Sequence, residues 1–299
     1  MHSYPTHPTN PTNRLMASDS LWRRRSIHVF FALGFGLPWI GWTSNLLFDT
    51  QGALRTVLFY TGDFMSIGGI VATWAAGGGD AVRALFRRCF ARAGLGWWIG
   101  ALLLPLGWTV VGRFTYGLIH GGVGEFNPAA FSVFLSMGAW RAWTTGPLGE
   151  EFGWRGYLLP RLLTVYRPMV ATLILGVLWS LWHYPLYART IFGSPRPGAN
   201  FTISVLCFSI LMTIFWFRTR GSVLIAILFH WSVNVSPNVA AEMVPLPGVG
   251  QRDSDLNLWN LLTLIVTTGI VTAIFGRWTL GKRDDFLVER DLASERVDN

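Results

Sequence analysis

Charge is scarce in this sequence: Asp, Glu, Lys and Arg make up 13% of 299 residues, against roughly 25% in an average soluble domain. With 51% hydrophobic content, that excludes an ordinary soluble globular chain and points to a membrane protein. Cysteine is nearly absent. Cys89 and Cys207 stand in different segments with no neighbouring cysteine, which excludes a disulfide framework, a cysteine zinc site and a redox pair. Gly77, Gly78 and Gly79 lack the downstream Lys and Ser or Thr of a phosphate loop, and no dinucleotide pattern occurs either. A helix carrying two His four apart around a Glu, the mark of soluble zincins, is also missing. The net charge of +8 comes from short basic clusters between apolar segments, not from one continuous face, so nucleic acid is not expected as a partner.

What the chain has is apolar length. Eight stretches approach the ~20 residues that a membrane-crossing helix needs: 27–48, 56–76, 97–119, 131–163, 169–188, 201–217, 222–241 and 258–280. The expected fold is all-α, a polytopic transmembrane bundle of about eight helices in contact with the lipid bilayer. The 16 Trp and 21 Phe suit lipid-facing surfaces and interfacial belts. Span four is long and contains Pro147 and Gly149, so a kink or break is expected near Pro147. Residues 1–22 are poor in apolar side chains and read as a disordered cytosolic tail. The bundle is expected over 23–283, with a catalytic core at about 130–245 and a second cytosolic tail at 284–299. No short hydrophobic segment precedes a small-residue cleavage site, so 27–48 reads as a retained anchor.

The basic residues orient the bundle. Arg23, Arg24 and Arg25, then Arg83, Arg87, Arg88 and Arg92, then Arg161 and Arg167, Arg218 and Arg220, and Lys282 and Arg283 all fall on one side of an eight-span alternation. By the positive-inside rule that side is cytosolic, which puts both termini in the cytosol. Arg55, Arg189, Arg196 and Arg252 fall on the other side. The expected location is a bacterial inner membrane.

Polar residues inside these spans are costly and mark functional sites by default. Glu150, Glu151 and Arg155 lie in span four, His183 in span five, and His230 and Asn234 in span seven. Counted from the basic side at 1.5 Å per residue, Glu150, His183 and Asn234 reach depths of ~20, ~21 and ~18 Å. Three helices thus bring polar groups to one layer. Glu151 and Arg155 are four apart and can pair, while Glu150 points ~100° away. A carboxylate beside a like charge in apolar surroundings suits a general base. Trp179 and His183 share a face, as do His230 and Asn234. Asp63 and Arg113 also lie in apolar spans, where they either pair with each other or line a cavity.

Glu150, Glu151 and Arg155 match an EExxxR motif, Trp179 and His183 an FxxxH motif with Trp in place of Phe, and His230 and Asn234 an HxxxN motif. In these motifs the chain resembles the CPBP intramembrane protease family, which includes type II CAAX prenyl endopeptidases and bacteriocin-processing or abortive-infection proteins. The resemblance implies an eight-helix bundle with a cavity open to the cytosol, and hydrolysis of a peptide or protein substrate at the membrane. It implies that Glu150 with His183 activates water, that His230 and Asn234 hold the oxyanion, that Glu151 and Arg155 support them, and that Trp179 packs beside His183. No cofactor is required in that mechanism. Two His and a Glu also compose a common catalytic zinc set, so a Zn²⁺ ion, were one bound, would fall on Glu150, His183 and His230. The alternative is a non-catalytic membrane protein, either a bacteriocin self-immunity protein or a proton-coupled transporter using the same buried groups.

Overall fold

The computed structural model describes residues 25–276 other than 92, 145, 194 and 250–253. The expected tails 1–22 and 284–299, and Arg23, Arg24, Arg92, Arg252, Lys282 and Arg283, lie outside the described residues. The described residues fold as a bundle of helices with no strand among them. In chain order the helices are α1 (Arg25–Phe48), α2 (Gly52–Cys89) and α3 (Leu95–His120). A 3-10 segment, Pro128–Leu135, then leads into α4 (Met137–Thr144). The second half holds α5 (147–165), α6 (Pro168–Trp182), α7 (Ala188–Ile191), α8 (Pro195–Arg218), α9 (Val223–Met243) and α10 (Ser254–Gly276).

Six of these, α1, α2, α3, α8, α9 and α10, are long and apolar enough to cross a membrane. The two remaining spans expected from sequence are the ones that carry the acidic and first histidine motifs; the first is broken and the second is short. Span four divides as anticipated: α4 ends before Gly146, and α5 begins with Pro147 at its first position, where a missing N–H costs nothing. Span five is shorter than expected. Pro168 opens α6, and Tyr184 and Pro185 lie just past its end, so His183 caps the helix instead of lying within it. This follows from Pro185, which disfavours the α conformation in the residue before it.

Span two is longer than expected. Helix α2 carries a 3-10 turn at Tyr60–Asp63 and a break at Gly77 and Gly78, where Gly78 has φ +65°; only glycine takes that conformation without strain. Helix α9 is capped at its start by Ser222, whose hydroxyl accepts from the Ile225 N–H at 3.3 Å, a standard device for an orphan donor. It packs against α3, while α6 packs against α8, α2 against α5, and α10 against α3 and α8. The main core joins Phe30, Trp154, Tyr157, Trp179, Trp182, Leu211, Phe215 and Phe229. The outward faces expose Ile40, Leu47, Val111, Leu118, Val266 and Ile270, the apolar residues a lipid-facing surface requires.

Candidate active site

Arg155 and Glu151 are fully buried, and one guanidinium nitrogen of Arg155, Nη1, lies 3.0 Å from each Glu151 oxygen. The guanidinium plane also covers the Trp179 ring at 4.4 Å, a cation–π contact. Glu151 Oε1 in addition lies 2.8 Å from His230 Nδ1. Since the carboxylate is bound by an Arg and can only accept, Nδ1 carries the hydrogen, and Nε2 is the ring atom left for the cavity.

Glu150 is held separately. Its Oε2 accepts from the Trp179 indole at 2.7 Å and from the Trp154 indole at 3.2 Å. Oε1 makes no hydrogen bond among the described residues and faces His183, whose Nε2 is 3.9 Å away. That separation is too long for a direct hydrogen bond and suits a bridging water. His183 Nδ1 donates to the Trp179 carbonyl at 2.9 Å, so the lone pair sits on Nε2, toward Glu150. Tyr187 stacks on the His183 ring, centroids 5.7 Å apart, and Trp182 meets it edge-on at 4.7 Å.

These groups line a cavity of about 80 Å³ together with Asn234, Gly146 and Asp63, room for a few waters. Asn234 is exposed and makes no side-chain hydrogen bond among the described residues. Gly146 has a distinct part. A Cβ there would lie 3.2 Å from Asn234 Nδ2, 3.4 Å from Glu150 Oε1 and 3.7 Å from His230 Nε2. The missing side chain therefore leaves a small space bounded by a carboxylate oxygen, an amide nitrogen and an imidazole nitrogen at once.

All seven residues of the three sequence motifs come together here: Glu150, His183, His230 and Asn234 line the cavity, and Glu151, Arg155 and Trp179 stand behind them. Asp63 and Arg113 do not pair. Asp63 faces the cavity, whereas Arg113 Nε donates to the Val244 carbonyl at 3.1 Å. Gly146, Trp154 and Tyr187 went unread in the sequence. Trp154 was within reach, since it stands four residues after Glu150 on the same helix face. Gly146 carried no signal beyond its place before Pro147.

The three side chains that would hold zinc are not assembled as a ligand set. Among the described residues no three His, Cys, Asp or Glu groups converge for a metal. Glu150 Oε2 is already taken up by two indoles.

The site lies at the helix ends remote from the basic clusters. A second cavity of about 150 Å³, lined by Asn45, Asp49, Thr50, Arg55 and Arg189, shares Trp42, Leu186 and Tyr187 with the first. These residues come from the end of α1, the start of α2 and the segment after α6, whereas Arg25, Arg87, Arg88, Arg161, Arg167 and Arg218 mark the opposite ends. Two expectations from the sequence therefore conflict in this fold. A cytosolic Arg25 and a cavity open to the cytosol are the two in conflict, because Arg25 starts α1 and Trp42, which lines both cavities, lies near its other end.

Residues 132–236 match the family model described as Type II CAAX prenyl endopeptidase Rce1-like. The CAAX prenyl protease 2 of Methanococcus maripaludis is 37% identical over 99 residues, which cover 31% of this chain and 36% of that protein. The likeness thus spans about a third of the relative's length. Every residue of the three motifs falls inside the matched segment, so the likeness to the Rce1-like family model covers the residues that line the cavity.

Proposed function

We propose that this protein is an intramembrane endopeptidase that hydrolyses a peptide bond with a water activated by Glu150 and His183. The observation that carries this reading is the space at Gly146, which places one small volume within contact of Glu150 Oε1, Asn234 Nδ2 and His230 Nε2. Water near Oε1 loses a proton to Glu150 and attacks the substrate carbonyl. The two indoles on Oε2 keep Oε1 as the atom presented to that water, and His183 Nε2 holds the water from the other side. The carbonyl oxygen, gaining negative charge, accepts from Asn234 Nδ2; His230 Nε2 borders the same space and donates only when the ring carries a second proton. A donor aimed at such a charge is worth roughly 10² to 10³-fold, and the general base roughly 10² to 10⁴-fold. The C–N bond then breaks as the proton passes from Glu150 to the leaving amine.

The Rce1-like match and the name of the Methanococcus relative support a CAAX-type tail, a membrane-associated C-terminal peptide, as the first substrate class to test. The test is cleavage of a prenylated CAAX peptide by the purified protein in lipid nanodiscs. Glu150→Gln and His183→Ala are expected to stay folded and lose activity by at least roughly 10²-fold. Undiminished proteolysis in Glu150→Gln would overturn the mechanism. Proton-coupled flux into vesicles that depends on Glu150, with no cleavage of any peptide, would favour a transporter instead.

A further inference from the structure

Helix α2 carries none of the sequence motifs, yet it reaches into the backbone of the helix that bears both glutamates. The Ser66 hydroxyl donates to the Leu148 carbonyl at 2.8 Å and accepts from the Phe152 N–H at 3.2 Å. In a regular α-helix those two backbone groups bond to each other, four residues apart. Ser66, 5% exposed, bridges that rung from outside, and the rung encloses Glu150 and Glu151. Directly after it the helix widens into π turns over Phe152–Leu158, closed by the Leu159 N–H on the Trp154 carbonyl five residues back. Insertion of a side chain into the ladder is a recognised cause of such widening, and π turns often coincide with functional sites.

A second set of contacts agrees. A Cβ on Gly69 would fall 2.7 Å from Gly153 Cα and from the Phe152 carbonyl oxygen. One on Gly153 would strike the Met65 carbonyl. The backbones of α2 and α5 therefore meet with no room for a methyl group on either side, and this close approach is what lets so short a side chain as Ser66 reach the rung.

We infer that Ser66 is a positioning residue for Glu150 and Glu151: by bonding both the Leu148 carbonyl and the Phe152 N–H, it sets the direction of the i,i+4 pairs Glu150–Trp154 and Glu151–Arg155 that cross the widened turns. This rests on the reading of Glu150 as the base. Without the hydroxyl, the Phe152 N–H and Leu148 carbonyl are free to bond directly, the turn tightens, and Trp154 and Arg155 rotate relative to their glutamates. Folding itself loses little, because the two backbone groups satisfy each other.

The experiment compares Ser66→Ala and Ser66→Thr with the unaltered full chain in nanodiscs, on a prenylated CAAX peptide. Ser66→Ala is expected to lower kcat by at least roughly tenfold, as misplacement by about 1 Å can cost 10²-fold, with KM within about twofold and thermal unfolding nearly unchanged. Ser66→Thr, which keeps the hydroxyl, is expected to recover most of kcat. A structure of Ser66→Ala provides a readout that needs no activity: residues 152–158 should tighten toward α-helix, and the Glu150–Trp154 hydrogen bond should lengthen or break. An unchanged turn in that structure overturns the inference even if the protein cleaves peptides. So does a Ser66→Ala protein whose kcat stays within about twofold, or one whose loss merely follows loss of folded protein and is not recovered by Thr. If the turn tightens while no variant, nor the parent, cleaves any peptide, the positioning of Glu150 stands and the endopeptidase reading fails.

Discussion

His230 and Arg155 share one buried carboxylate: Glu151 Oε1 lies 2.8 Å from His230 Nδ1 and 3.0 Å from Arg155 Nη1. The group behind the cavity thus neutralises a fully buried guanidinium and fixes the imidazole ring with one set of oxygens. Among the described residues Arg155 Nε and Nη2 have no hydrogen-bond partner, so its charge depends on Glu151 and on the Trp179 face. Glu151→Gln removes that compensation. Losing one member of a buried pair costs about 3 to 5 kcal/mol, and His230 also loses its orienting partner. Both thermal stability in detergent and kcat are expected to fall, kcat by roughly 10²-fold. A Glu151→Gln protein as stable and active as the parent would show that Arg155 is neutralised elsewhere.

Gly146 makes a sharper test, because it separates the cavity from the scaffold. Its φ of −167° and ψ of −74° place it in extended backbone as far as φ is concerned, so the requirement for glycine is one of space. Gly146→Ala puts a methyl 3.2 Å from Asn234 Nδ2 and 3.4 Å from Glu150 Oε1, where the attacking water or the carbonyl oxygen is proposed to sit. The expected result is a folded protein with kcat/KM reduced by at least roughly 10²-fold. Retained cleavage would move the reacting atoms to another part of the cavity.

Much of this site could be read from the sequence because helical spacing and depth are arithmetic. Glu151 and Arg155, four apart, had to share a face, and Glu150, His183 and Asn234 had to lie in one layer whatever the helix packing. What escaped were contacts whose partners are distant in sequence. Trp179 was read as a packing aromatic beside His183, but its indole also donates to Glu150, which the Phe usual in this motif cannot do. Ser66 is an ordinary small residue in an apolar helix, and only the approach of α2 to α5 gives its hydroxyl a task. The end of α6 at Trp182 was legible in principle from Pro185; apolar content alone ran the span on to 188.

The donor geometry makes a prediction about metals. Zinc would need ligand nitrogens and oxygens at about 2.0 to 2.2 Å around one point, whereas no three His, Cys, Asp or Glu groups among the described residues converge in that way and Glu150 Oε2 accepts from two indoles. Cleavage is therefore expected to survive removal of metal by a strong chelator, and elemental analysis of the active protein to find well under one zinc per chain. Abolition by the chelator with recovery on adding stoichiometric Zn²⁺ would show that Glu150, His183 and His230 rearrange into a ligand set.

The remaining prediction concerns the side from which substrate arrives. Arg25, Arg83, Arg87, Arg88, Arg161, Arg167, Arg218 and Arg220 stand at one end of the helices, and Arg55 and Arg189 at the end where the cavities open. The arginine bias sets orientation in the membrane, so the basic end is expected in the cytosol and the cavity mouth on the opposite face. Asn234 lies nine residues from the end of α9 at that face, roughly 14 Å along the helix. The site is thus reached from the mouth through less than half the bilayer. Thr50 and Arg87 mark the two ends, and neither lies in the cavity that holds Glu150. In a background with Cys89 and Cys207 replaced, Thr50→Cys should react with a membrane-impermeant maleimide added to intact cells, and Arg87→Cys only after the membrane is opened. The reverse pattern would place the mouth in the cytosol, as the family resemblance implies, and would make this chain an exception to the positive-inside rule.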